Sequence, residues 1–279
     1  MPTKTPPKPP RRPPAKPSAA APSGGDAFEI IRGVQDRGSK TVIYGPGGVG
    51  KTELASLASD HAGPVLFIDL EDGTDHLDVA RVKVNDWSDL RVITADPDSL
   101  SEFGVVVIDS LTKAEELAVE FVVATVPHDN GGNVSSIEGF GFGKGYVHVY
   151  EAFLLLAADL DRIARADIDV VLICHECVAN VPNPTGVDWI RYEPRLQSPS
   201  SGKSSIRHRV KEWADHVLFL AFDAVVSKDG KASGSGTRTI HPQERPGHLA
   251  KSRRLDAPIP YRRGDGELWR LLNTESGDE

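Results

Sequence analysis

The run Gly45-Pro46-Gly47-Gly48-Val49-Gly50-Lys51-Thr52 constrains this chain more than any other feature. It satisfies G-x-x-x-x-G-K-[S/T] and stands between the apolar run Thr41-Val42-Ile43-Tyr44 and a helical stretch read as Lys51 to Asp60. A glycine-rich turn from strand to helix lets successive backbone N–H groups face inward and hold phosphates at a helix N-terminus. Lys51 then reaches the β- and γ-phosphates, and the Thr52 hydroxyl ligates Mg2+. ATP and Mg2+ are the expected cofactors. Gly45-x-Gly47-x-x-Gly50 also fits a dinucleotide fingerprint, with Asp69 and Glu71 following at about the 20-residue interval that fingerprint uses. Two features decide against that reading. The Lys51-Thr52 pair is surplus to a dinucleotide site but required by a P-loop. The run Val105 to Ile108 then ends in Asp109, the second Mg2+-side carboxylate of an NTPase.

Short continuous Val/Ile runs alternating with helical stretches predict a mainly parallel sheet covered on both faces. The strand candidates are Val65 to Ile68, Arg91 to Thr94, Val105 to Ile108 and Val170 to Ile173, with an amphipathic helix over Tyr146 to Ala166. From Trp213 onward, Val217 to Val226, Thr237 to Ile240 and Leu268 to Leu272 read as strands of an antiparallel extension. Residues 127–145 and 179–205 resist assignment, and loops of that length in a compact domain are usually functional or disordered.

Residues 1–25 hold nine of the 21 prolines, five basic side chains and no acid, a composition too poor in apolar groups to order itself. The expected division is therefore a Pro/Lys-rich disordered tail over 1–25 and one ATPase domain over 26–279. The net charge is −8, and setting aside the five charges of the tail leaves the remainder at −13. A body that acidic contacts nucleic acid only through local basic segments. No stretch approaches the roughly 20 apolar residues that cross a bilayer. Two cysteines, Cys174 and Cys177, make no disulfide framework, so a reducing cytoplasm is the expected location.

Hydrolysis needs a group that orients or deprotonates the attacking water. Phe67-Ile68-Asp69-Leu70-Glu71 leads a strand into an acid cluster on the nucleotide rim, making Glu71 the candidate base. His175 follows another strand to the same rim and is the candidate γ-phosphate sensor. Cys174-His175-Glu176-Cys177 has no second ligand pair at zinc spacing, which disfavours a metal reading.

These segments, with Val106-Val107-Ile108-Asp109-Ser110-Leu111-Thr112 and Lys251-Ser252-Arg253, resemble the RecA-type core. The chain is most similar to the phage nucleotide-binding proteins of RecA-like fold that serve as single-strand-annealing recombinases. The ordered set Gly141-Phe142-Gly143-Lys144-Gly145-Tyr146, Trp213-Ala214-Asp215 and a late basic stretch before Pro258 carries that likeness over about Phe28 to Leu272. The resemblance implies a RecA-like α/β fold, a Mg2+-dependent ATPase, a homo-oligomeric ring or filament, and single-stranded DNA as partner. It places Glu71 as the catalytic glutamate and His175 as the sensor. Lys251, Arg253 or Arg254 would act on the neighbouring subunit's nucleotide. The two unassigned segments fall where such proteins contact DNA, giving Lys144, Arg191, Arg195, Lys203, Arg207 and Arg209 as candidates, with Tyr192, Phe140 and Phe142 available to stack on bases. Two other readings share the ATP site: an ATPase that loads or remodels a protein partner such as a replication helicase, and a nucleotide-gated DNA-binding assembly with little turnover.

Overall fold

Val42–Ile43, Val65–Asp69, Val105–Asp109 and Val170–Ile173 are buried throughout, as strands require when helices cover both faces of a sheet. The protein's structure is a computed structural model that describes residues 31–33, 37–200, 202–226 and 232–274. The tail expected over residues 1–25 lies outside the described residues. The chain divides after Gln35, and the unit Asp36–Glu279 holds every element of the sheet domain.

In chain order the elements are β1 (Lys40–Gly45), α1 (Lys51–Ser56), α2 (Ser59–Ala62), β2 (Val65–Asp69), β3 (Ala80–Lys83), α3 (Trp87–Thr94), β4 (Val105–Asp109) and α4 (Leu111–Thr125). There follow α5 (Lys144–Arg165), β5 (Asp169–Val181), β6 (Trp189–Pro194), α6 (Ile206–Trp213), β7 (His216–Val226), β8 (Ala232–His241), β9 (Ile259–Tyr261) and α7 (Glu267–Asn273). The sheet order is β3-β2-β4-β5-β1-β7-β8-β9, with β6 paired to β5. Strands β3, β2, β4, β5, β1 and β7 are mutually parallel, while β8, β9 and β6 are antiparallel to their neighbours. This is the expected mainly parallel α/β sheet with helices on both faces, except that the antiparallel extension starts one strand later, at β8. One core lies between the sheet and α3, α4, α5 and α6; the other lies under α1 and α7.

Three expectations are corrected. Arg91–Thr94 is helix α3, not a strand: Asp86 caps it by accepting from the Asp89 amide at 2.9 Å, and Trp87, Leu90 and Thr94 bury one face. A four-residue run with two apolar residues cannot distinguish the two structures, and the cap residue decides. Leu268–Leu272 is likewise helical, in α7, where Leu268, Trp269 and Leu272 are buried and the Trp269 indole donates to Leu54 O at 2.6 Å. The helix expected over Lys51 to Asp60 is divided into α1 and α2. Strand β3 was not anticipated, and the segment 179–205 contains the end of β5 and all of β6 rather than a structureless loop.

Candidate nucleotide site

Parallel strands deliver their C-terminal ends to one rim, so β2 ends in Asp69, β4 in Asp109 and β1 in Gly45 at neighbouring register positions. Gly45 has no room for a side chain, because a Cβ there would lie 2.0 Å from Leu220 O. Gly50, at φ 103, turns the loop into α1 without a side-chain cap and leaves that helix's first amides for a ligand. Within the loop the buried Lys51 ammonium donates to Gly45 O at 2.9 Å and Pro46 O at 3.0 Å. Burial holds its pKa below the ordinary lysine value, against the upward pull of Asp109, Cys174, Glu176 and Glu71.

The Thr52 hydroxyl donates to Asp109 Oδ2 at 2.6 Å across 57 residues of sequence. Burial raises the Asp109 pKa to about 6; Glu71 and Asp69 reinforce the rise, and the Thr52 hydrogen bond opposes it. A hydroxyl and a carboxylate side by side at the loop are the oxygen donors that Mg2+ takes, so the residues present fit that ion. Asp69, also buried, organises the turn after β2. It accepts from the amides of Glu71 (3.1 Å), Gly73 (3.2 Å) and Thr74 (3.1 Å) and from the Thr74 hydroxyl (2.5 Å). Although burial works against its charge, these four donors hold its pKa below the usual carboxylate range.

That turn aims Glu71 across the rim. His175 Nε2 lies 3.1 Å from each Glu71 carboxylate oxygen, and the Ser110 hydroxyl donates to Oε1. Both partners are about one-third exposed, so water reaches the carboxylate. The His175 amide donates to Thr112 Oγ1 at 3.1 Å, and the Arg195 amide donates to His175 O at 2.9 Å, which joins β5 to the first turn of α4 and to the end of β6. The rim therefore assembles Lys51, Thr52, Asp109, Glu71 and His175. Tyr261 was missed by the sequence reading: its hydroxyl lies 3.5 Å from Gly50 O, 211 residues away, and its ring flanks Gly50. No local pattern marks it.

The late basic residues sit elsewhere. Val217 pairs with Lys251 and with Val42 of β1, so this stretch lies near the opposite end of the sheet from the P-loop. Lys251 donates to Lys211 O (3.0 Å) and Ala214 O (2.7 Å) at the end of α6, and Arg254 donates to Leu272 O in α7. Arg253 pairs with Asp215 at 3.1 Å, an acid it shares with Arg37.

The basic cluster expected to meet phosphates is largely neutralised within the chain. Buried Glu193 pairs with Arg191 at 2.8 Å and Arg207 at 2.7 Å, while Glu244 pairs with Arg191 at 2.5 Å and Lys211 at 3.0 Å. Lys144 pairs with Asp129, and Arg195 stands 3.8 Å from Glu116. Among the described residues only Lys203 and Arg209 of the candidates make no ion pair. Lys203 is exposed, whereas the Arg209 Nε is buried without a hydrogen-bond partner. The β5–β6 hairpin exposes apolar groups instead, with Val178 59%, Ile190 68% and Tyr192 42% accessible. Phe142, in a left-handed backbone at φ 50, is fully exposed.

A family model described as an AAA domain matches residues 37–254. Among solved structures, the chain is similar to the RadB recombinase, at 16% identity and a TM-score of 0.40 over 74% of this chain and 80% of that one. It is also similar to a KaiC-like protein from the hyperthermophilic archaeon Pyrococcus horikoshii OT3, at 16% identity and a TM-score of 0.43 over 82% of this chain and 88% of that one. No curated protein matches.

Proposed function

The chain belongs to the AAA-domain family, and on that premise we propose that it hydrolyses ATP with Mg2+ and acts on single-stranded DNA in phage-type recombination or annealing. The observation that carries the ATPase reading is the convergence of two pairs on one rim, Thr52 with Asp109 and Glu71 with His175. Thr52 and Asp109 would hold Mg2+, which when bound neutralises charge on the phosphate oxygens. Lys51 exchanges its bonds to Gly45 O and Pro46 O for the phosphates, so the loop carries its own placeholder for the cation's partners. Glu71, at a water-accessible edge, orients the attacking water and takes its proton. His175 contacts the same carboxylate, so a phosphate that draws the imidazole away changes the base's surroundings.

The trans-acting role falls to Arg253. Lys251 and Arg254 are committed to helix ends, whereas Arg253 is 61% exposed and shares its carboxylate with Arg37. This makes a homo-oligomer, ring or filament, the working form. No helix among the described residues is long and apolar enough to cross a membrane, and the host cytoplasm is the proposed location.

A second reading has its own support. Paired cations beside an exposed apolar hairpin suit a protein partner better than a phosphate backbone, which favours an ATPase that loads or remodels another protein. ATP turnover measured with and without single-stranded DNA at low and moderate salt separates the two. Stimulation that weakens with salt supports the DNA reading; turnover indifferent to DNA supports the protein partner.

A further inference from the structure

Glu71 is held from three directions, and two are explained by the reading above: Asp69 receives its amide, and His175 faces its carboxylate. The third is Ser110, which is only 1% exposed and lies 39 residues along the chain from Glu71. Ser110 is the N-cap of α4, and its oxygen accepts from the Lys113 amide at 3.1 Å. A hydroxyl has a single proton. With its oxygen engaged by the helix, that proton is directed at Glu71 Oε1, and α4 transmits its own rigidity to the carboxylate. His175 meets both carboxylate oxygens from one nitrogen at equal distance, 3.1 Å, so it does not distinguish them. Ser110 does, because it engages Oε1 alone. Oε2, which has the His175 contact but not the Ser110 bond, is the oxygen assigned to the water.

We propose that Ser110 is a positioning residue for hydrolysis, one that orients the Glu71 carboxylate through a hydrogen bond whose direction is set by the α4 cap. The inference rests on Glu71 being the base. It concerns an effect on kcat rather than on nucleotide binding, because the Ser110 hydroxyl bonds Glu71 and the Lys113 amide, neither of which belongs to the loop 45–52.

The test is ATP turnover by the full chain carrying Ser110→Ala, Ser110→Gly or Ser110→Thr, each also combined with Glu71→Gln. Gly at an N-cap keeps the helix start at little cost, so it guards against a variant that fails to fold. Ala and Gly should lower kcat by about tenfold to a hundredfold with KM for ATP within about twofold, a loss typical of a misplaced catalytic group. Thr, which retains the hydroxyl, should restore most of the rate. In the Glu71→Gln background, Ser110→Ala should change residual turnover no further. Unchanged kcat in both Ala and Gly variants, with Glu71→Gln inactive, overturns the role of Ser110 and leaves the ATPase reading standing. A further loss in the double variant also overturns it, since Ser110 would then act through another group. Full turnover in Glu71→Gln alone removes Glu71 as base, and this proposal with it.

Discussion

The nucleotide rim and the basic segment from Arg191 to Lys211 are both crowded with charge, and they dispose of it in opposite ways. At the rim, Asp69, Asp109 and Glu71 approach one another, burial raises the Asp109 pKa, and Lys51 is bonded only to carbonyls. Carboxylates there gather close enough for Glu71 and Asp69 to push the Asp109 pKa further up, a pattern that clusters at functional sites. In the basic segment, Glu193 and Glu244 between them meet Arg191, Arg207 and Lys211. A count of cations therefore overstates the potential that segment presents to phosphate. Unlike charges brought together within hydrogen-bond distance serve structure, while like charges held together mark a site.

The sharpest break would come at the rim. Lys51→Ala should abolish ATP binding, and Glu71→Gln should lower turnover by about 10²–10⁴-fold while binding persists, the range for losing a general base. Equilibrium binding of a fluorescent ATP analogue beside a phosphate-release assay checks both, and unchanged turnover in the Glu71 variant removes it from the mechanism. In the basic segment the corresponding loss should be of stability. Glu193→Ala strands Arg207 and half of the bonding of Arg191, and it should cost about 3 kcal/mol in a denaturant titration. Turnover without DNA should stay near that of the wild type. If stability is unchanged while DNA affinity rises, Glu193 masks a phosphate-binding surface rather than building the fold.

Glu115 links the two regions from α4, accepting from the Gln197 amide at 2.6 Å. Burial raises its pKa to about 7, against the pull of that amide and of Arg207. Between the ordinary value of 4.5 and about 7 the folded chain keeps a proton that the unfolded chain has released. This group's contribution to stability therefore falls as pH rises through that window. Thermal midpoints across it should show a shallower decline in Glu115→Gln than in the wild type. The smallest effect is expected at Lys203, exposed and without an ion pair among the described residues. Lys203→Ala should reduce the slope of log affinity for single-stranded DNA against log salt by about 0.7, one phosphate contact. An unchanged slope would leave the segment without a role in DNA binding and strengthen the protein-partner reading.

Much of the fold was legible because its determinants are local. Four aliphatic runs announced β2, β4, the first half of β5 and β1, and the 3.6-residue period announced α5 almost to its ends. Arg91–Thr94 and Leu268–Leu272 misled because short runs fit either period, and the partners that fix them lie outside them: the Asp86 cap in one case, the Leu54 carbonyl that accepts from Trp269 in the other. The site divides along the same line. Gly45 to Thr52 is one continuous turn whose chemistry depends on neighbours in sequence, and Asp109 and Glu71 are marked by the strands that carry them.

The chain's order of residues thus determined a phosphate loop, the strands around it and the carboxylates at their ends, since backbone turns and strand periodicity arise from adjacent residues. Tertiary structure alone decided which side chains meet. Glu71 faces His175 across 104 residues, Tyr261 flanks Gly50 across 211, and Glu193 turns an apparently cationic segment into a set of ion pairs. Such meetings depend on strand order and register, in which β5 enters between β4 and β1. Strand order is a property of the packed sheet, and no segment carries it in its own composition.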